Sequence, residues 1–569
     1  MDKEFFLNPQ SNIHRKYEAL RASYIDQLSD SEVAQKFGFT FFSFKSVKRD
    51  LKQASASDFF IEPQTKGNSE KRNQAEELII KYRKRNYSVE EIKEKILKEH
   101  QLSLSTPIIL DILHNEGFTK LFRRTGRERL EAMQEEQNYA ERSNIEEFAK
   151  YPQASTAFGG IFLFVPLIVE LGLAKLFELP FYGSKQIPTQ NYLLSYLCVK
   201  LLGCQRLYHA NNYNFDFALG SFAGLNVLPK SSTLSSYSYR SDTETIKKLL
   251  KGFTKKLHAT GYLKGQNINL DFHSIPYFGD KPEIEKNWVS TRNKRMKSIL
   301  TFFAQDLDTT FLCYSNGDIK NEEQNDEIIR FVEYYKDSTG VLPERLIFDS
   351  KLTTYAKLNE LNKQGILFIT LGRRGPNFGK TIEKIGLWEK VKLDNVKRKY
   401  TDLEFFEQLV KIADYDEPIR EFYIKGNGRE LPMRLFTNDK KTSPKQIITY
   451  YAKRWRIENN IAENIDFFNL NNLQSSVIVQ VNFDIAMTLI ANSLYKILAN
   501  KLRWFEEATP KTISMKFINI ETQIHINETD INVEYKKKTY NPMIKDWVKN
   551  IHDLKIPWLN NRNLNFSFA

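Results

Sequence analysis

The stretch RLIFDSKLTTYAKLNELNKQGILFITL, residues 345–371, predicts a strand, a helix and a second strand in direct succession. The first strand is expected over Arg345–Phe348, the helix over about Leu352 to Gln364, and the second strand over Ile366–Leu371. Strands that alternate with helices in this way are typical of an α/β domain, in which the strands share one sheet. This stretch therefore indicates the fold class.

The sequence before this stretch predicts three short strands, which are separated by turns and charged segments. They are NINLD at 267–271, SILTFFA at 298–304 and TFLCY at 310–314, and a helix follows from about Glu322 to Asp337. Three strands of antiparallel character, followed by alternating helices and strands, predict one mixed sheet. This chain order resembles that of a ribonuclease H-like core.

After residue 372 the pattern changes to mixed, partly β content with the basic cluster Lys397, Arg398 and Lys399, which is interpreted as a β-rich insertion. The core is expected to resume with the strand MRLFT at 433–437 and with a long helix that begins near Ser443. In the tail, alternating apolar residues around Ile524 and Val533 flank a polar turn, so a small hairpin is predicted there.

The first 55 residues are predicted to be helical, and Ala34, Gly38, Phe44 and Val47 fall at the offsets of a helix-turn-helix. The small residue lets two helices cross closely, the glycine takes the turn, and the two apolar residues seat the second helix. An ordinary helical hairpin accounts for the same pattern. The second helix carries three basic residues that would face solvent or DNA: Lys45, Lys48 and Arg49.

These patterns divide the chain into an α/β core with all-α units in front of it. The segments are an N-terminal helix-turn-helix DNA-binding unit (1–55), a linker (56–73), a second helical unit also expected to bind DNA (74–150), a helical region leading into the core (151–260), the ribonuclease H-like catalytic core (261–372 and 433–500), the β-rich insertion (373–432) and a C-terminal tail with the hairpin (501–569).

The composition is that of a globular protein with a polyanionic partner. Of 569 residues, 41% are hydrophobic, 13% are aromatic and 27% are charged, which excludes wholesale disorder and collagen-like sequence. The formal net charge of +13 favours DNA, RNA or an anionic membrane surface as the partner, and charge alone does not choose among them. Three cysteines make no disulfide framework and the N-terminus lacks a signal-peptide pattern, so a cytoplasmic, reducing location is expected.

Two aspartates are predicted to close strands of the sheet, because Asp271 ends NINLD and Asp349 ends RLIFD. In open α/β sheets, ligands bind at the carboxyl ends of the strands, so both carboxylates are candidates for a site. A third acid, Glu458, lies in the predicted helix SPKQIITYYAKRWRIENNIAENI. Taken singly, each acid is more often a turn, cap or ion-pair residue, with Arg454 or Arg456 as the partner of Glu458.

Four residues of this helix share one stripe, because their separations of three, four and seven positions match about 3.6 residues per turn. They are Tyr451, Arg454, Glu458 and Ile465. Two strand-end carboxylates and one helical carboxylate can hold two Mg²⁺ ions roughly 3.5 to 4 Å apart. Such a pair of ions can bind the attacking and the leaving oxygen of an in-line phosphoryl displacement. The pattern therefore predicts chemistry on a phosphodiester.

The spacing Tyr451-x2-Arg454-x3-Glu458 resembles the catalytic-helix signature of bacterial insertion-sequence transposases of the DDE type. The segments DFHSIPYFG, IFDSKLTTYAKLNELNKQGILFITLGRRG and RLFTND are similar to the family's acid-bearing regions. The β-rich insertion between the second acid and the third also has its counterpart there. The resemblance covers roughly residues 216–500.

The resemblance implies a metal-dependent transposase that cleaves and joins DNA strands at the ends of an insertion sequence. Asp271, Asp349 and Glu458 would be the catalytic metal ligands for two Mg²⁺ ions, with Mn²⁺ as a substitute, while Tyr451 and Arg454 would hold the phosphate backbone. The partners would be double-stranded DNA, as terminal inverted repeats and as target, and a second copy of the chain when two ends are paired. The implied setting is a bacterial nucleoid, without a membrane partner.

One position departs from the family pattern. The family has a lysine seven residues after the glutamate, where this chain has Ile465, which makes no electrostatic contact with a phosphate. Lys453 or Arg456 could substitute, or the chain could be a catalytically silent relative that binds DNA ends and represses. A host nuclease of the same fold is a third interpretation.

A basic run lies between the first two predicted strands of the core. It consists of Arg292, Lys294, Arg295 and Lys297, which follow Trp288. Such a run can track a DNA backbone, although a solvated charged stretch has the same composition.

Overall fold

The structure is a computed structural model that describes residues 12–53, 75–76, 78–80, 82–83, 87, 89–115, 153–179, 187–238, 242–279, 284–317, 319–349, 354–376, 378–394, 396, 399–472 and 478–569. The predicted linker 56–73 lies outside these residues, as do residues 116–150 of the predicted second helical unit and the insertion residues Lys397 and Arg398. The described parts of residues 1–81 and 93–112 form one compact unit, and those of residues 82–92 and 113–569 form another.

Helices make up the N-terminal part of the chain and most of the region before the sheets. The N-terminal α-helices are Asn12–Tyr24, Asp30–Phe37, Phe41–Gln53, Val89–His100 and Thr106–Asn115. The next group is Val165–Glu170, Leu173–Leu176, Thr189–Leu201, Phe217–Phe222, Ser231–Ser238 and Thr243–Ala259. The remaining α-helices are Glu327–Thr339, Tyr355–Lys363, Phe378–Glu383, Pro444–Ala452, Trp455–Phe468, Ile478–Lys501, Pro510–Ile513 and Asn541–Val548.

The strands belong to two sheets. In chain order they are β1 (Gln153–Thr156), β2 (Asn267–Pro276), β3 (Lys286–Val289), β4 (Lys294–Asp306), β5 (Leu312–Asn316), β6 (Arg345–Phe348), β7 (Leu367–Leu371), β8 (Glu389–Lys392), β9 (Asp402–Val410), β10 (Ile419–Lys425), β11 (Met433–Thr437), β12 (Thr522–Ile526), β13 (Asp530–Tyr535), β14 (Lys555–Ile556) and β15 (Arg562–Phe568).

The larger sheet has the strand order β3-β4-β2-β6-β7-β11-β10-β9-β8, and β5 pairs with β4. Strands β2, β6 and β7 run parallel to one another, whereas the other neighbours are antiparallel. The predicted α/β class with a mixed sheet is therefore confirmed. The strand predicted at 345–348 has those bounds, while β2 and β4 extend beyond the predicted runs because the two strands pair from Ile268 to Pro276.

The segment predicted as a β-rich insertion contains β8, β9 and β10. These strands continue the larger sheet, since β10 pairs with β11 and β9 pairs with β10 and β8. The inserted residues thus widen the core sheet on the side beyond β11.

The smaller sheet has the order β1-β12-β13-β15-β14. Its centre is the tail hairpin, in which Thr522 of β12 lies opposite Tyr535 of β13. The edge strand β1 comes from a distant part of the chain, and its Thr156 lies opposite Thr522. This sheet packs in one continuous core with the helices before the larger sheet and with helix Ile478–Lys501.

Helix Ile478–Lys501 is apolar on all sides because the protein core surrounds it, from Val481 to Ala499. No helix in the described ranges combines the length and apolar character that crossing a membrane requires.

The first three helices form a small core of their own. Ser29 caps Asp30–Phe37 with a reciprocal capping box to Glu32, and Gly38 ends that helix with a φ of 68°, a conformation that glycine adopts without strain. The chain then turns into Phe41–Gln53. Ala34, Phe44 and Val47, which the sequence pattern singled out, are buried together.

Two buried arginines fix the loop that leads into helix Pro444–Ala452. Arg345, at the start of β6, pairs with Asp439 at 2.5 Å, and both side chains are almost fully buried. Arg420 of β10 donates to the carbonyl oxygens of Asp439 and Thr442, at 2.6 and 2.8 Å. The loop is therefore tied to two strands of the sheet before the helix begins.

The substitution Asp439→Ala should lower the free energy of unfolding by about 3 kcal/mol, because it leaves the Arg345 guanidinium buried without its counter-charge. The matched control is Asp394→Ala, since the Asp394–Lys445 ion pair flanks the same helix but both side chains are more than half exposed. That variant should lose much less, because an exposed ion pair contributes little to stability. Chemical denaturation of the two variants provides the comparison, and equal losses would contradict the bracing role of Asp439.

Candidate active site around Arg454

The parallel pairing of β2 and β6 brings the two predicted aspartates to one place. Asn269 lies opposite Ile347, and Asp271 and Asp349 follow these residues by two positions each. Because side chains alternate between the faces of a sheet, equal offsets put both carboxylates on the same face. Adjacent strands are about 4.8 Å apart, so the aspartates are neighbours.

The prediction that Asp271 closes its strand was wrong. β2 continues to Pro276, because residues 272–276 keep their pairing with β4 as far as Ser298. Asp349 follows the last residue of β6 directly, as predicted. The two carboxylates are still close together, since the negative charge of Asp349 contributes to the raised pKa of Asp271.

The prediction of one uninterrupted helix through Tyr451, Arg454, Glu458 and Ile465 was also wrong. The structure has two helices, Pro444–Ala452 and Trp455–Phe468, with Lys453 and Arg454 between them. At this junction Arg454 N–H donates to the carbonyl of Tyr451, three residues back. Bonds to the third residue tighten the turn and interrupt the regular stripe.

The second of these helices is held against the end of β4 by polar side chains. Arg456 donates to the carbonyl of Leu307 at 3.0 Å, and Gln305 donates to the carbonyl of Arg456 at 3.3 Å. One turn further on, Asn460 donates to the carbonyl of Thr310 at 2.9 Å. These contacts set the position of the helix that carries Glu458 relative to the strand that pairs with Asp271.

The Arg454 guanidinium lies at the centre of the predicted site residues. Its Nη2 donates to Oε1 of Glu458 at 2.5 Å, and its Nη1 lies 3.5 Å from Oδ2 of Asp271. The guanidinium also lies over the Tyr451 ring, 5.9 Å from the ring centre. It interacts electrostatically with Asp349 as well, so the same cation interacts with all three carboxylates.

The pKa of Asp271 is raised to about 7, chiefly by burial and also by the negative charges of Glu458 and Asp349. Arg454 opposes this shift, as does the Phe272 N–H, which donates to Oδ1 of Asp271 at 2.9 Å. A buried carboxyl group that titrates near neutrality beside other carboxylates is typical of a functional site.

The other two polar groups of the site keep their protons. Burial raises the pKa of the Tyr451 hydroxyl, so the phenol stays neutral. The pKa of Arg454 is also raised; burial opposes the shift, but Tyr451 and the three carboxylates outweigh it. Arg454 is therefore a permanent cation that can contact either carboxylates or phosphate.

The donor set fits a hard divalent cation, because carboxylate oxygens are the ligands that Mg²⁺ and Mn²⁺ prefer. As the side chains stand, however, no three His, Cys, Asp or Glu side chains in the described part of the chain are grouped closely enough to hold a metal ion. The Arg454 guanidinium contacts both Asp271 and Glu458. A metal would have to take over these carboxylate contacts.

Ile465, at the position of the family lysine, and the two proposed substitutes, Arg456 and Lys453, differ in their surroundings. Ile465 packs against the hydrophobic core, so it belongs to the scaffold. Arg456 is engaged with the Leu307 carbonyl. Lys453 lines a cavity of about 390 Å³ together with Trp455 and the buried Lys496, whose pKa burial lowers to about 8.

The three basic residues predicted on the N-terminal helix differ in their surroundings. Lys45 and Arg49 are exposed; Lys45 contacts the Phe41 ring and Arg49 lies 3.6 Å from Asp50. Lys48 is only partly exposed, because its Nζ donates to Asp30 at 2.7 Å and to Ser23 at 3.0 Å. Lys48 therefore supports the packing of these helices.

Sequence reasoning did not find Arg345, Arg420 and Asp439, which place the helices of the site. Arg345 and Asp439 are 94 residues apart, and their contact depends on the sheet order. The sequence signal that was present is local, since Asp439 accepts N–H bonds from Lys441 and Thr442 as a turn residue does.

Residues 271–493 match the family model of the transposase DDE domain. The match begins at Asp271 and includes Asp349, Arg454 and Glu458, and it confirms the resemblance of this part of the chain to DDE-type transposases. The match over residues 271–493 supports a transposase function. No curated protein matches the chain.

The raised pKa of Asp271 predicts a pH-dependent stability. The folded protein keeps this proton up to about pH 7, whereas the carboxyl of an unfolded chain has an ordinary pKa of 3.8. The proton therefore favours the folded state, and this contribution is lost as pH rises from about 4 to about 7. The variant Asp271→Asn carries no titrating group at this position. The difference in thermal midpoint between the variant and the wild type should therefore shift in favour of the variant across this window and stay constant at higher pH.

Thermal unfolding of both proteins between pH 4 and 9, in the presence of a chelator, measures this difference. The control is Asp337→Asn, which removes an exposed aspartate that pairs with Lys251. Parallel curves for wild type and Asp271→Asn would contradict the raised pKa of Asp271.

Proposed function

We propose that this chain is a DNA transposase that cuts and joins DNA strands at the ends of an insertion sequence. The observation that carries the proposal is the contact of one guanidinium, that of Arg454, with Asp271 and Glu458, beside Asp349. These three acids would hold two Mg²⁺ ions, or Mn²⁺ in their place. When bound, the ions would supply Lewis acidity for phosphodiester hydrolysis and transesterification.

Arg454 would bind the substrate in this proposal. Its guanidinium is held at the carboxylates by a 2.5 Å contact and stays charged, so it can turn from carboxylate to a phosphate with the same forked donors. Tyr451, whose ring underlies the guanidinium, would limit the positions that the side chain reaches. Both residues would then hold the DNA backbone beside the acids.

The strand order supports the proposed ribonuclease H-like character of the core. Strands β5, β4 and β2 form an antiparallel set, and β6 and β7 follow in parallel to β2. Asp271 lies on β2, Asp349 directly follows β6, and Glu458 lies on a helix that follows the sheet. Hydrolysis and strand transfer both need carboxylates gathered in this way.

The N-terminal helices would supply DNA recognition. The turn at Gly38 leads into Phe41–Gln53, on which Lys45 and Arg49 are exposed. As a helix-turn-helix unit they would place this helix in a major groove. The partners are then duplex DNA, both terminal inverted repeats and target, and a second copy of the chain on paired ends, in the bacterial nucleoid.

Cleavage of a supercoiled plasmid that carries the matching terminal repeats, in the presence of Mg²⁺, tests the catalytic proposal. Glu458→Gln should lower cleavage more than about 100-fold, since loss of a residue that merely supports a metal ligand costs about 10- to 100-fold. Binding to the repeats should remain, because the variant keeps every proposed DNA contact. The control Asp466→Asn changes an exposed acid of the same helix and should cleave normally.

Three outcomes would contradict the proposal. Full cleavage by Glu458→Gln would remove this residue from the metal site. Repeat binding without cleavage by the wild type would indicate a silent end-binding protein, and cleavage without preference for the repeats would indicate a nuclease.

The double substitution of Lys45 and Arg49 by alanine should weaken binding to the repeats about tenfold at moderate salt. Each phosphate contact that is lost also loses the counterion release that favours binding. The control replaces Lys16 and Lys36, on the two preceding helices, and should bind like the wild type. A gel-shift titration compares the three proteins. Equal affinity of all three would place recognition elsewhere in the chain.

A further inference from the structure

A two-stranded ribbon at the edge of the larger sheet has one cationic face. In this ribbon β3 pairs with the first residues of β4, so that Lys286 lies opposite Lys297 and Trp288 lies opposite Arg295. Cross-strand partners and residues two apart point to the same side of a ribbon. These four residues, Lys286, Trp288, Arg295 and Lys297, are called the ribbon face. On the other side, Asn287 and Val289 are buried.

The sequence of the ribbon contains several basic residues and no acidic ones. Residues 286–297 contain five Lys or Arg residues and no Asp or Glu. Two lysines stand directly opposite each other, an arrangement that destabilises an isolated sheet. The nearest acid in the sequence, Glu285, accepts a hydrogen bond from the Asn321 N–H at 2.8 Å.

Two exposed aromatic rings accompany these cations. Trp288 is 51% exposed and Phe278 is 74% exposed. The Arg292 guanidinium lies over the Phe278 ring, 5.7 Å from its centre. Large rings exposed among cations are a combination that nucleic-acid surfaces use, because the rings contact sugars and bases while the cations contact phosphates.

The ribbon face lies on the same side of the sheet as the acids of the candidate active site. Asp271 of β2 lies opposite Phe303 of β4, and the pairing continues without a shift to Ser298. Counting back along β4 in steps of two from Phe303 leads to Lys297 and then Arg295. Strand alternation therefore puts Asp271 and the ribbon face on one side of β4.

Strand β4 also sets the distance between the two. Lys297 and Arg295 lie six and eight residues from Phe303, which corresponds to about 20 and about 26 Å at roughly 3.3 Å per residue. Duplex DNA rises about 3.4 Å per base pair along each strand. The separation thus equals about six to eight base pairs.

We propose that the ribbon face binds the sugar-phosphate backbone of substrate DNA, about six to eight base pairs from the phosphate that is cut. Lys286 and Arg295 contact phosphates, and the exposed ring of Trp288 packs against the sugars between them. The stated distance from the cut phosphate rests on the proposed function. The binding of DNA by the ribbon face is independent of that function.

The experiment measures the affinity of the full chain for a 30-base-pair duplex of random sequence at several salt concentrations, with a chelator present. Each phosphate contact contributes about 0.9 to the slope of log affinity against log salt. The double variant Lys286→Ala with Arg295→Ala should therefore lose about two from the slope. The control, Lys248→Ala with Lys255→Ala, removes two exposed lysines of helix Thr243–Ala259 and should keep the wild-type slope.

Equal slopes for the ribbon variant and the wild type would overturn the proposal, provided that circular dichroism shows the same fold. So would an equal loss in the control. The plasmid cleavage assay separates this inference from the proposed function, since the salt-slope assay involves no cleavage. A failed plasmid assay together with a reduced slope in the ribbon variant would leave the ribbon as a DNA contact and refute only the transposase chemistry.

A photocrosslinking amino acid in place of Trp288 tests the distance on a duplex with a mapped cleavage position. Crosslinks should fall about six to eight base pairs from that position, as the length of β4 requires. Crosslinks next to the cleaved phosphate would contradict the placement.

Discussion

The repulsion between three carboxylates on one face of the sheet is the constraint on which the site depends. Asp271 and Asp349 are brought together by strand pairing, and Glu458 is brought to them by a helix. Arg454 offsets part of this negative charge through its contacts with Asp271 and Glu458. Burial, together with the charges of Glu458 and Asp349, raises the pKa of Asp271, and the Arg454 guanidinium opposes this shift.

The surrounding structure keeps this repulsive group in place. On one side, Arg345 and Arg420 tie the loop before helix Pro444–Ala452 to β6 and β10. On the other, Arg456 and Asn460 hold helix Trp455–Phe468 to the carbonyl groups after β4. The inserted strands β8, β9 and β10 contribute to the same framework, since Arg420, which holds the loop before helix Pro444–Ala452, belongs to β10. The insertion is therefore part of what positions the acids.

The sequence predicted the local parts of this arrangement well. The strand at Arg345–Phe348, the acid directly after it and the buried set of Ala34, Phe44 and Val47 followed from short-range patterns. The predictions failed where pairing between distant strands decides the outcome. β2 runs past Asp271 because β4 continues beside it, and the pairing of β1 with β12 joins residues more than 360 positions apart. The break at Lys453 and Arg454 has no helix-breaking residue in the sequence, so local propensity did not predict it.

Diffraction from crystals of the full chain with Mn²⁺ and a DNA end, recorded at the manganese absorption edge, tests the central claim most directly. The account predicts anomalous peaks bounded by the carboxylates of Asp271, Asp349 and Glu458, with the Arg454 guanidinium moved from Asp271 to a phosphate. Manganese bound at other acids, or an Arg454 that keeps both carboxylates while DNA is bound, would contradict it.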